Sequence, residues 1–158
     1  MNRLAIPTVA TSPAASQPLL DAVHKQLGVI PNLMKMVGNS PAALEGYLSL
    51  NGALAKGVLN VQLRERIALA TAQANGCDYC LAAHSYLATN LAKVDAAELA
   101  AARLAHSADA KADAALQFAA QVLASRGHVS TDDLGAVRAA GFDDAAVVEI
   151  VLNVALMC

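Results

Sequence analysis

Tryptophan is absent from this chain, and only two phenylalanines and three tyrosines occur among its 158 residues. A core so poor in large aromatics has to be built mainly from small apolar side chains, which suits helices that approach one another closely. Basic residues are also sparse: eleven Lys and Arg against thirteen Asp and Glu leave a formal charge of −2, scattered along the sequence. Nucleic-acid binding needs a basic stripe as its electrostatic footprint, and none is present. No apolar run approaches the roughly 20 residues of a membrane span; Arg64, Glu65 and Arg66, then Asp78, interrupt the best candidates. The start, Met1-Asn2-Arg3-Leu4-Ala5-Ile6-Pro7, lacks the long apolar core of a signal peptide, so a cytoplasmic protein is expected. In that compartment a close cysteine pair is more often catalytic or metal-binding than a structural disulfide.

What is plentiful is alanine, within a hydrophobic fraction of 56%. High helix propensity with few β-branched runs predicts an all-α protein, and the length fits one domain able to bury a real core. The mean hydropathy is high for a chain without a membrane segment. Burial of apolar surface between subunits accounts for that excess, so a homo-oligomer is expected.

Residues 1–17, with Pro7, Pro13 and several Ser and Thr, read as an extended arm before a helical domain over 18–158. Helices are predicted from Pro18 to Leu27 with a stop at Gly28, a short segment from Pro31-Asn32-Leu33, and one from Ser40-Pro41 to about Lys56 before Gly57. Asn60 caps a helix over Val61–Ala74, which Asn75-Gly76 ends; the next runs from Cys77 to about Asn90. Further helices are expected from Asp95 to Leu104, Ala108 to Ser125, Ser130 (a capping-box-like start) to Ala140, and Asp143 to the end.

The chemistry concentrates in Cys77-Asp78-Tyr79-Cys80 and His84. On a helix, separations of three and four put both thiols and the imidazole on one face. A helix N-terminus offers unpaired N–H groups and partial positive charge, which favour a thiolate. The second cysteine, one turn away, is placed to resolve a sulfenate or mixed disulfide on the first. His84 lies one turn beyond Cys80, where it serves as proton acceptor or thiolate partner. The bland alternatives are a pair of buried structural cysteines, or zinc, although a structural zinc site needs four ligands and only three candidates cluster. Glu65 precedes Cys77 by twelve residues, about 120° away on one continuous helix. It reaches the thiols only if the break at Asn75-Gly76 folds the next helix back; otherwise it is a salt-bridge partner for the neighbouring arginines. His24, His106 and His128 read as surface residues and Cys158 as incidental, while Tyr79 and Tyr86 fit the site, the core or an interface equally.

Glu65, eleven residues, then Cys77-Asp78-Tyr79-Cys80-Leu81-Ala82-Ala83-His84 resembles the E-x11-C-x-x-C-x3-H motif of alkylhydroperoxidase D-like members of the carboxymuconolactone decarboxylase family. Gly28-Val29-Ile30-Pro31-Asn32-Leu33 and Ser40-Pro41 look like the upstream part of its peroxidase-related branch, and Gly141-Phe142-Asp143-Asp144 with Val147–Val151 like its final helix. The likeness spans roughly residues 25 to 155. It implies an all-helical trimer or hexamer with no metal or organic cofactor, and reduction of peroxides by the dithiol. By motif position, Cys80 would be the peroxidatic thiolate, Cys77 the resolving thiol, and His84 with Glu65 the proton relay. A lipoyl-bearing or thioredoxin-like dithiol would recycle the site. Two departures stand out. Tyr79 replaces a histidine, and relatives continue the last helix beyond the equivalent of Val154-Ala155-Leu156, so a shortened final helix is expected here. Helix position alone favours Cys77 as the first attacker, whereas the resemblance implies Cys80. Two other functions fit the same residues: a redox-switched oligomer without turnover and, from the wider family, a lactone decarboxylase, whose members do not rely on a CxxC.

Overall fold

The computed structural model describes residues 3–158, and every regular element among them is helical. Nine α-helices follow in chain order: α1 Gln17–Leu27, α2 Asn32–Val37, α3 Pro41–Leu54, α4 Val61–Ala74, α5 Asp78–Asn90, α6 Ala96–Arg103, α7 Ala110–Ala124, α8 Thr131–Ala139 and α9 Asp144–Met157. The chain therefore has the expected all-α fold. Contacts gather it into two compact units, Met1–Ala53 and Leu54–Cys158.

In the first unit the segment expected to be an extended arm is folded; its residues 1 and 2 lie outside the described residues. A turn over Thr8–Ser12 is followed by a single 3-10 turn at Ala14–Ser16, with Ser12 and Ser16 buried. The physical reason lies in short hydroxyl side chains that satisfy nearby backbone. Ser12 Oγ donates to the Val9 carbonyl at 2.7 Å, and Ser16 Oγ donates to the Gly38 carbonyl at 2.7 Å.

The second unit contains the core and the candidate site. Helix α4 packs against α5, α6, α7 and α9. Its Leu63, Ile67, Leu69 and Ala70 join Leu116, Phe118 and Val122 of α7 and Ile150 and Val154 of α9 in one buried cluster. Both phenylalanines, Phe118 and Phe142, are in it. Alanines such as Ala88, Ala102 and Ala115 are fully buried, as close helix contacts in a chain poor in aromatics require.

Helix starts in this unit are fixed by side-chain caps, each a feature worth about 1 kcal/mol. Asn60 accepts from the Leu63 N–H at 2.8 Å, Asp95 from Glu98 at 2.9 Å, Asp109 from Ala112 at 2.8 Å and Asp143 from Ala146 at 2.9 Å. Ser130 and Asp133 form a reciprocal capping box. Between α6 and α7 the loop is clamped by Glu98, whose carboxylate accepts from Ala108 N–H and Ser107 Oγ at 2.7 Å each and from Arg66 at 3.1 Å. The α3–α4 connection is held by a distant group: Glu149 of α9 accepts from the backbone N–H of Val58 at 2.9 Å and of Leu59 at 3.2 Å.

Candidate functional site

The site is assembled at the turn between α4 and α5. Gly76 sits at φ 62°, a left-handed conformation that costs an L side chain about 1 kcal/mol or more. Its N–H donates to the Gln73 carbonyl at 3.1 Å, and the Cys77 N–H reaches back to the Ala72 carbonyl at 2.9 Å. These paired bonds are a Schellman closure, which ends α4 and reverses the chain. Cys77 then serves the following helix as well. It is the N-cap of α5, and its Sγ accepts from the Cys80 N–H at 3.2 Å. One residue thus closes α4 and opens α5, and its sulfur takes the place a Ser or Asp oxygen holds in most N-caps.

Cys77 and Cys80 are joined as a disulfide with their Cα atoms 5.3 Å apart, and both are partly accessible. The reversal at Gly76 brings α5 back along α4. Glu65, on the second turn of α4, thereby meets His84 of α5: Glu65 Oε2 lies 2.8 Å from His84 Nδ1. Both side chains are mostly enclosed, at 16% and 17% exposure, so water screens the contact only in part. With Nδ1 engaged by the carboxylate, the ring is fixed in orientation and Nε2 is the nitrogen left for chemistry. The fold-back that the sequence required for Glu65 to count is therefore present.

The alternative for Glu65, pairing with neighbouring arginines, does not hold: the carboxylate goes to His84, and Arg66 pairs instead with Glu98. Cys77 was expected inside the helix and stands one position outside it, as the cap. Tyr79 and Tyr86 are 50% and 66% exposed, so neither is a core aromatic in this chain. His24, His106 and His128 are exposed. Cys158, incidental by sequence, is free and exposed. Its Sγ nevertheless lies 3.9 Å from Nδ2 of Asn75, two residues before Cys77. A contact across 83 positions leaves no local signal.

Residues 41–125, more than half of the chain, match the carboxymuconolactone decarboxylase family. The chain belongs to that family. Solved structures place it in the alkylhydroperoxidase D-like branch. An uncharacterized peroxidase-related protein from Ralstonia eutropha JMP134, with an alkylhydroperoxidase AhpD core, superposes with a TM-score of 0.86 at 25% identity. That match covers 98% of this chain and 84% of the other. A peroxidase-related protein from Silicibacter sp. TM1040 gives a TM-score of 0.84 at 22% identity, covering 99% and 83%. A debrominase, Bmp8, solved as a cysteine-to-alanine variant in complex with 2,3,4-tribromopyrrole, shares the fold at a TM-score of 0.80 and 24% identity, covering 99% and 85%. No curated protein matches. The family thus has an enzyme-type fold that carries more than one activity.

Proposed function

We propose that the chain is a cofactor-independent thiol peroxidase of the alkyl hydroperoxide-reducing type. The observation that carries this reading is the Cys77–Cys80 disulfide at the start of α5, set one helical turn from a His84–Glu65 pair. Cys80 takes the role of attacking thiolate by its position in the family motif, with His84 one turn beyond it on α5. Its sulfur forms an S–O bond with the terminal peroxide oxygen as the O–O bond breaks, and the departing alkoxide takes a proton relayed by His84 and Glu65. Cys77, held as a thiolate by the helix N-terminus it caps, then attacks the Cys80 sulfenic acid. The S–S bond forms and hydroxide leaves as water. In net terms two thiols and one hydroperoxide give a disulfide, an alcohol and water, and an external dithiol restores the thiols.

A lipoyl-bearing or thioredoxin-like reductant fits this cycle, as does a cytoplasmic location and a homo-oligomeric assembly. Among the described residues no helix is long and apolar enough to cross a membrane.

The test is peroxide consumption with tert-butyl hydroperoxide and excess dithiol, comparing the wild type with Cys77→Ser and Cys80→Ser. The reading expects multiple turnovers in the wild type, loss in both variants, and a dimedone-trapped sulfenate only where Cys80 remains. A disulfide that forms once without turnover, alongside an oxidation-dependent change in subunit mass, would replace the peroxidase with a redox switch. The debrominase neighbour favours a second two-electron acceptor, a halogenated pyrrole. In that case a Cys80 thiolate takes the halogen, the ring carbon takes a proton, and Cys77 displaces halide as the disulfide forms. Bromide release from 2,3,4-tribromopyrrole at the expense of dithiol, without peroxide turnover, would select it.

A further inference from the structure

A groove of about 710 Å³ lies between the C-terminal turns of α4, the end of α6 and the second half of α7. Its size is within the roughly 300–1,000 Å³ range of small-molecule sites. The floor is apolar, formed by Ala70, Ala74, Ala119, Ala120 and Leu123, and Leu104 stands 73% exposed at its edge. The only ionised groups that line it are the guanidiniums of Arg103 and Arg126; no Asp or Glu does. Arg103 Nε donates to Gln73 Oε1 at 2.8 Å, a neutral partner that leaves its charge uncompensated. Neither arginine takes part in the ion pairs of the described residues, which are Arg66–Glu98, His84–Glu65, His106–Asp113 and Arg138–Asp144.

The backbone around the groove is also unusual. Arg126 and Ala105, both in its lining, have φ of 55° and 58°; Lys93 is the only other non-glycine residue with positive φ among those described. Left-handed backbone costs an L residue about 1–2 kcal/mol. Arg126 occupies a helix-terminating position that Gly or Asn would fill with less strain.

We propose that this groove binds an amphipathic carboxylate: an alkyl chain on the alanine and leucine floor, and its head group on Arg103 and Arg126. Charge selects the head, since two guanidiniums unopposed by any lining carboxylate favour an anion and offer the planar donor pairs a carboxylate accepts. The floor selects the tail, because alanines leave room and provide no polar partner. The site is independent of the thiol chemistry, although it shares the end of α4 with it: Asn75 lines the groove and Cys77 follows two residues later.

Isothermal titration of the full chain with sodium decanoate, and with acetate as a head-group control, tests the assignment. One decanoate per chain and no detectable acetate binding are expected. The Arg103→Gln/Arg126→Gln double variant should weaken decanoate about tenfold or more, from the loss of charge-assisted hydrogen bonds. Ala120→Trp, which fills the floor, should abolish binding. Circular dichroism melts confirm that both variants fold; both arginines are exposed, so folding should not depend on them. Absence of decanoate binding, or binding unchanged in both variants, would overturn the proposal. So would a wild type that fails to bind while Ala120→Trp sediments as a smaller species, because the groove would then be a contact between copies of the chain.

Discussion

Replacing Gly57 with alanine should destabilise the protein, and the cost should vanish when Glu149 is also removed. A Cβ built on Gly57 falls on the Glu149 carboxylate, while the φ of Gly57 is outside the left-handed region. The clash is with the end of a flexible side chain, so the carboxylate can move away at little steric cost. What it cannot keep are its hydrogen bonds from Val58 N–H at 2.9 Å and Leu59 N–H at 3.2 Å. Hydrogen bonds to a charged group contribute about 1.5–3 kcal/mol each when well enclosed. Here Glu149 is only partly buried and Val58 is exposed, so water recovers part of the loss. We expect Gly57→Ala and Glu149→Ala each to cost about 1–3 kcal/mol. In the Glu149→Ala background the carboxylate is already gone, and Gly57→Ala should stabilise by about 0.4–1 kcal/mol through a less flexible unfolded chain. Urea unfolding of the four proteins, analysed as a double-mutant cycle at equal m-values, reads this directly. If Gly57→Ala costs the same in both backgrounds within about 0.5 kcal/mol, the two residues do not communicate and the reasoning is wrong.

Other expectations follow from the site and the caps. Glu65→Gln keeps the size of the side chain but removes the charge facing His84; peroxide turnover should fall by about 10²–10⁴, the usual contribution of a positioned acid–base pair, with stopped-flow disulfide formation slowed in parallel. Gly76→Ala meets no atom within 4 Å, so its cost should be the left-handed strain alone, about 1 kcal/mol by chemical denaturation. In the Ser130–Asp133 capping box, the Ser130 hydroxyl and then its backbone N–H hold the Asp133 carboxyl below its ordinary value of 3.8. A lowered folded-state value means that this stabilisation is present above pH 3.8 and lost as pH falls through the folded value; Asp133→Asn should flatten that part of an acid titration of stability.

The helices with strong local punctuation were legible in the sequence. The bounds of α4 coincide with those read from Asn60 and Asn75-Gly76, because the cap and the left-handed glycine are made by the residues themselves. Helix α3 was expected to reach about Lys56 and ends at Leu54. There the Gly57 N–H turns back to the Leu54 carbonyl at 3.2 Å, and the next two N–H groups go to Glu149, some 90 positions away. Nothing near Lys56 announces that partner. The folded N-terminal segment was missed for a related reason, since Ser16 is buried by its bond to Gly38, 22 residues later. At the site, helical spacing relates Cys80 to His84, both on α5, whereas Cys77 stands outside the helix as its cap. The partner of Glu65 depended on how α5 folds back, which spacing on a single helix does not contain.

The turn at Gly76 also works as the pivot of a pair of callipers. Glu65 lies eleven residues to one side and His84 eight to the other, arms of roughly 16 Å and 12 Å at 1.5 Å per residue. A rotation of about 5° at the pivot moves the longer tip by about 1.4 Å, enough to carry a 2.8 Å contact out of hydrogen-bonding range. Cys77, one of the two cysteines joined in the disulfide, directly follows that pivot as the cap of α5. A change at the Cys77–Cys80 bond would therefore act at the fulcrum of the Glu65–His84 contact, and substitutions in the turn will be felt at tips they never touch.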